Sequence, residues 1–354
     1  MSDIYSVSSS LLNDENLKEK RRNERLGAII GIISQFIWAI NSIQLKTYKT
    51  FFPNDFSNNS LVFWRSLPIW LLGYFFCKQK NIRIKPLSAI KHKFWFATRS
   101  FGNYIIIYLW IKILSYFRVS TSQVISGCYP VLVIFLSILI LHEKFYFRYL
   151  ISVLVCIFGS GLIVLNEKNP NASKIQLNPN KLAGIFFASC HLLMFSLSTL
   201  AQKIQCKDNM SPDEQNYYLG MFNTLPALFF CIIETHFGFG SILYILYAIS
   251  NGFFVFYSGN YLQTIAMEHM AVNKFLTITY MSTVFVFILG FVLLGERIYI
   301  TDIIGAGLII SFQLYNIYYP PGRQINENNI EVKEKISSIN KQDDCGNDSN
   351  NNKD

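Results

Sequence analysis

Residues 119–144 read VSTSQVISGCYPVLVIFLSILILHEK. From Val119 to His142 there is no Asp, Glu, Lys or Arg, and then Glu143-Lys144 closes the run. An α-helix of about 20 apolar residues crosses the roughly 30 Å of bilayer hydrocarbon, so this stretch is long enough to span. Sliding the chain by 153 positions places Leu294, Glu296, Arg297 and Tyr299 on Leu141, Glu143, Lys144 and Tyr146 without a gap. A charged pair closing an apolar run therefore occurs twice, and the fold is read from that recurrence.

Working outward, uncharged runs cover Leu26–Leu45, Tyr149–Asn166, Leu182–Gln202, Gln215–Ile233, Phe275–Gly295 and Ile303–Gly322. Leu61–Cys77 carries Arg65, Phe94–Leu114 carries Arg99 and Lys112, and Gly240–Met267 completes ten spans. Backbone amides in hydrocarbon must pair within their own segment, so these runs are expected to be helices. The composition agrees: 51% of the 354 residues are apolar and 15% are charged, against about 25% charged in a soluble domain. The expected fold class is an all-α polytopic membrane protein of ten transmembrane helices.

The net charge of +9 raises a nucleic-acid partner, and its placement argues against one. Without the two tails the chain carries 21 basic and 10 acidic residues, and six of the basic ones, Lys78, Lys80, Arg83, Lys85, Lys91 and Lys93, share one loop. With the amino terminus inside, 19 Lys and Arg fall in or beside inside segments and 7 in outside loops, as the positive-inside rule requires. Both termini are then cytosolic. The partners expected are the lipid bilayer and a small-molecule substrate, with no nucleic acid.

Five spans in each repeat is an odd number, so the second copy enters the membrane from the opposite side. The organisation read is a flexible cytosolic tail at 1–25, a five-helix repeat at 26–166, a linker loop at 167–180, an inverted five-helix repeat at 181–320 and a disordered cytosolic tail at 321–354. Two inverted halves supply a route to alternating access, which favours a secondary transporter in the plasma membrane or an endomembrane. The alternative on the same fold is a non-transporting scaffold or regulatory protein.

Tyr129-Pro130-Val131 with Leu141-His142-Glu143-Lys144, and the echo Leu294-Gly295-Glu296-Arg297, resemble the EamA type of the drug/metabolite transporter superfamily. Phe63-Trp64-Arg65 and Thr98-Arg99-Ser100-Phe101-Gly102 are similar to the eukaryotic solute-carrier-35 branch, particularly its G-type members. The resemblance implies ten helices around a central cavity that carries a small organic solute, with a homodimer through helices five and ten in some members. Thr283 stands where the second repeat would show the partner of Pro130, so a proline kink is not expected in the ninth span.

Polar side chains inside spans are the candidate binding residues. Asn41 and Gln44, Gln123 and Ser126, Asn260 and Gln263, and Thr277 and Tyr280 are each three apart and share a helix face. Arg65 reads either as a snorkelled structural cation or as the partner of an anionic substrate group such as a nucleotide sugar or an organic phosphate. Arg99 and Lys112, near span ends, read as interfacial. Tyr257 is a candidate for stacking on substrate, and His191 for hydrogen bonding in the cavity or for packing. Glu143-Lys144 and Glu296-Arg297 are structural clasps that could also gate. Seven scattered Cys, five His without ligand spacing, and the lack of a phosphate loop or nucleophile motif give an enzyme nothing to work with. No catalytic residue, metal or cofactor is expected.

Overall fold

The structure is a computed structural model and describes residues 2–52, 57–116, 126–142, 147–165, 181–234, 241–294 and 300–318. Every regular element among them is helical: α1 (Ser2–Phe51), α2 (Asn58–Gln79), α3 (Lys93–Ser100), α4 (Gly102–Tyr116), α5 (Tyr129–Leu141), α6 (Phe147–Leu165), α7 (Lys181–Lys207), α8 (Pro212–Ile233), α9 (Ile242–Ser250), α10 (Ser258–His269), α11 (Val272–Thr279), α12 (Met281–Leu294) and α13 (Ile300–Tyr318). A π-helical segment, Asn251–Tyr257, joins α9 to α10. Among the described residues, six stretches are long and apolar enough to cross a membrane: Arg21–Leu45, Asn58–Gln79, Leu182–Lys207, Pro212–Ile233, Ile242–His269 and Val272–Leu293. Tyr129–Leu141, Phe147–Gly159 and Ile303–Phe312 are shorter apolar helices. The chain divides into residues 1–313 and 314–354, the second represented by the closing residues 314–318 of α13.

Polarity runs opposite to that of a water-soluble globule. Leu182 and Leu139 are 81% and 71% exposed, and Phe94, Phe158, Phe186 and Phe254 also face outward. Gln35, Gln202, Asn223 and Asn260 are buried. An outer surface of Leu, Ile and Phe around a polar interior fits lipid as the solvent, and the protein is an integral membrane protein.

Helices approach closely where the sequence offers glycine. α2 and α8 cross antiparallel: a Cβ on Gly220 would lie 2.3 Å from the Trp70 nitrogen, and one on Gly73 would lie 2.5 Å from the Tyr217 nitrogen. Small residues let backbones meet in membranes, where dispersion and buried polar groups drive association. The same register sets Ser66 level with Thr224. Ser66 Oγ, Thr224 Oγ1 and both side-chain polar atoms of Asn223 are buried there without a hydrogen-bond partner.

Several expected spans are subdivided. The third breaks at Phe101 into α3 and α4, immediately before Gly102. The fourth has a turn at Gly127-Cys128 before Tyr129-Pro130 opens α5. Its counterpart 153 positions on, Tyr280, interrupts the ninth span between α11 and α12. No proline is needed there. Thr277, Thr279 and Ser282 hydroxyls donate to the carbonyls of Lys274, Leu276 and Thr279, and such local bonds compete with the helical ladder. Tyr280 Oη donates to the Gly127 carbonyl at 2.5 Å, tying the two breaks together.

Candidate functional site

The interior polar residues gather around the π segment and the first turn of α10. A π turn holds more residues than an α turn, so consecutive positions at its ends share the buried side. Asn251, Gly252, Val255, Phe256 and Tyr257 are all buried. Gly252 is required by closeness: a Cβ there would fall 2.0 Å from the Arg65 carbonyl oxygen. α2 is thereby held against the segment with Arg65 beside it.

Asn41 and Gln44 face this segment from α1, as their spacing predicts. Asn251 Nδ2 donates to Asn41 Oδ1 at 3.1 Å and to Gln44 Oε1 at 2.5 Å. Asn41, Gln44, Arg65, Tyr247 and Asn251 line a narrow pocket of about 10 Å³, room for about one water molecule. Arg65 is 5% exposed. Its guanidinium lies 4.4 Å above the Phe256 ring, and its Nε has no hydrogen-bond partner.

A second chain of bonds starts on the other side of Phe256. Its ring meets Trp38 edge-on, and Trp38 Nε1 donates to Gln263 Oε1 at 3.0 Å. Gln263 Nε2 donates to Gln202 Oε1 at 2.9 Å, and Gln202 Nε2 to Thr264 Oγ1 at 2.8 Å. Arg99 joins here: Nη2 donates to Asn260 Oδ1 at 2.9 Å and Nη1 to Ser198 Oγ at 3.2 Å. Being 7% exposed, Arg99 is no interfacial snorkel; its guanidinium ties α7 to α10 through those two bonds. Asn260 Nδ2 donates to the Phe256 carbonyl, so a single helical turn, Phe256 to Asn260, separates the two arginines. Among the described residues, no carboxylate pairs with either.

Carboxylates appear at another level, where spans begin and end. Ser211 caps α8, its hydroxyl accepting from the Glu214 amide at 3.2 Å, and acidic residues in a first turn are favoured by the helix dipole. Asp213, 2% exposed, accepts from Lys80 Nζ at 2.6 Å and from Tyr257 Oη at 2.5 Å. Burial opposes the Lys80 charge, but the bonds to Asp213 and Tyr261 outweigh it and raise its pKa above the ordinary lysine value. Tyr257 is thus an anchor for Asp213, stacked beside Tyr261.

The remaining sequence candidates sit apart. His191 stacks on Phe195 and lies against the tilted Trp110 ring, with Nδ1 3.2 Å from the Ile106 carbonyl. Thr277 bonds back to its own helix, Tyr280 bridges the two breaks, and Ser126 is half-buried just before α5. Gln123, Glu143, Lys144, Glu296 and Arg297 lie outside the described residues. Sequence reading missed Asn251, Gln202 and Asp213. Asn251-Gly252 inside an otherwise apolar run was the signal available for the first.

A profile of the EamA-like transporter family matches residues 25–165 and 182–314, one segment in each half of the chain. No curated protein matches. A solved crystal structure is similar over 83% of this chain and 97% of its own, with a TM-score of 0.66 and 12% identity; that likeness concerns the fold alone. With most of the chain matched in two parts, a polar interior and an apolar exterior, this protein belongs to the EamA-like transporter family, a membrane transporter of that type.

Proposed function

We propose that the chain is a secondary transporter that carries small anionic organic solutes, of the nucleotide-sugar or organic-phosphate kind, by alternating access. Its two five-helix repeats would make ten spans and rock against each other about the α2–α8 crossing. The carrying observation is the pair Arg65 and Arg99, buried on either side of the Phe256–Asn260 turn with neutral partners. A buried cation without a carboxylate is costly unless an anion arrives to compensate it. Asn41, Gln44, Asn251, Asn260 and Gln263 would hydrogen-bond the polar remainder of the solute. Asp213, which meets the π segment through Tyr257, is held by Lys80 and Tyr257, so exchange or facilitated movement is the proposed mode rather than proton coupling. The Phe63-Trp64-Arg65 and Thr98–Gly102 motifs support placement in the solute-carrier-35 branch, and the 19-to-7 charge asymmetry supports cytosolic termini.

The test is counterflow into proteoliposomes containing the full-length chain. Liposomes preloaded with a nucleotide sugar or a sugar phosphate should accumulate the labelled anion above protein-free controls. Uptake of neutral sugars or amines, with the anions at background, would sink the proposal.

A further inference from the structure

A separate cavity lies between the loop that precedes α3 and the turn joining α7 to α8. Its volume is about 310 Å³, at the lower end of ordinary small-molecule sites. It shares no residue with the arginine network described above. Lys85, Lys91, His92, Trp95, Gln205 and Lys207 are among its walls.

The charges of this wall are arranged for an anion. Asp208 is the carboxylate in the lining, and it is occupied: His92 Nδ1 lies 2.7 Å from its Oδ2. Lys85 Nζ donates to the Asp208 and Asn209 carbonyls at 3.1 and 3.2 Å, closing the α7–α8 turn over the cavity and bringing its charge with it. Lys91 and Lys207 are exposed, so three lysines share this lining with one carboxylate, which is hydrogen-bonded to His92. Gln205 is 4% exposed, and its Nε2 is buried without a hydrogen-bond partner. α3 starts at Lys93 with no side-chain cap from His92, and the positive end of a helix dipole favours an anion at its amino terminus. Lysines beside a helix amino terminus are elements that hold phosphate.

Depth supplies the remaining argument. The cavity is bounded by the segments that follow α2, open α3, close α7 and precede α8, so it lies where spans emerge, at the level of lipid headgroups. Trp95 suits that boundary, with an apolar ring and a polar N–H. We propose that this cavity is a second binding site, for a phosphate monoester, either the headgroup phosphate of an anionic lipid or a soluble phosphate ester.

The test uses the full-length chain in nanodiscs. One arm titrates inositol bisphosphate onto phosphatidylcholine nanodiscs by calorimetry. The other compares lipid retained on the protein, by native mass spectrometry, in phosphatidylinositol-phosphate and in phosphatidylcholine membranes. Binding in the first arm identifies a soluble ester, and selective retention in the second identifies a lipid. Lys91→Gln with Lys207→Gln removes two exposed charges and should weaken whichever binding is seen by about tenfold or more, with the melting midpoint unchanged. Lys207→Arg, which keeps the charge, should bind as the wild type does. Counterflow of the anionic solute should be the same for the lysine variants and the wild type, so failure here is distinct from failure of the transport proposal. No binding in either arm, or equal binding by wild type and the double variant, overturns the site.

Discussion

Gly220→Ala is the substitution whose consequence the geometry fixes most tightly. The new Cβ would lie 2.3 Å from the Trp70 nitrogen, 2.6 Å from its Cα and 2.9 Å from the Ile69 carbonyl carbon. All three are backbone atoms, so no side chain can swing away, and reaching an ordinary contact of about 3.4 Å requires α2 and α8 to part by about 1 Å. Overpacking of this kind costs about 1–3 kcal/mol. Against it stands the gain of about 0.5–1 kcal/mol that alanine brings to a helix interior. Gly307→Ala isolates that gain, since nothing lies within 4 Å of its added Cβ. The two variants therefore differ by the overpacking alone. Melting of the detergent-solubilised full-length chain, followed by size-exclusion chromatography after heating, should place Gly220→Ala below wild type and Gly307→Ala at or above it. Separation of α2 from α8 would also displace Ser66 from Thr224 and slow transport. A Gly220→Ala protein as stable as Gly307→Ala would show that the two helices do not meet through this glycine.

Arg65→Gln should reduce counterflow of the anionic solute by about tenfold or more, the worth of a charge-assisted bond, while the melting midpoint holds or rises because a buried unpaired charge is lost. Undiminished uptake of the anion would remove Arg65 from the site. Lys80→Met leaves Asp213 with Tyr257 alone and should cost about 1 kcal/mol, the penalty being moderated by the exposure of the ammonium. Because Lys80 titrates above its ordinary 10.5, its contribution is fully present below that value and lost only above the raised one. The melting difference between wild type and Lys80→Met should be constant from pH 7 to about pH 9, and a difference that shrinks across this range would contradict the assignment. Tyr280→Phe removes the bond to the Gly127 carbonyl and should cost about 0.5–1.5 kcal/mol; turnover should change more than apparent substrate affinity, and an effect confined to affinity would argue against coupling of the two helix breaks.

Apolar run length located the apolar bodies of the helices, because hydrocarbon thickness limits how long a spanning stretch is, but not their ends: α1 begins at Ser2, ahead of the uncharged run that opens at Leu26 and inside the stretch read as a flexible tail. Side-chain partners were legible where a regular α-helix carried them: Asn41 and Gln44, three apart, do share the face that meets Asn251. They were illegible where the backbone leaves that period. Asn251 lies in a π turn, which shifts register and puts adjacent residues on one side, and Arg99 meets Asn260 across 161 positions of sequence, which no local period reports. At Tyr280 a search for proline looked for the wrong cause, since hydroxyls of Thr277, Thr279 and Ser282 supply the competing bonds. Asp213 was lost for a different reason. Counting spans as runs between charges assigns every terminal charge to a loop, whereas the Ser211 cap draws Pro212, Asp213 and Glu214 into the first turn of α8. The same rule set Lys274 outside the ninth span, yet it is buried in α11 and paired with Glu24 of α1 at 3.0 Å. Charges in the first turns of α8 and α11 are therefore carried inward, and in this chain they join segments far apart in sequence: Asp213 to Lys80, Lys274 to Glu24. Each pair sets a buried charge against a more exposed partner, Asp213 against Lys80 and Lys274 against Glu24, so its contribution is moderated by the solvent that reaches one side.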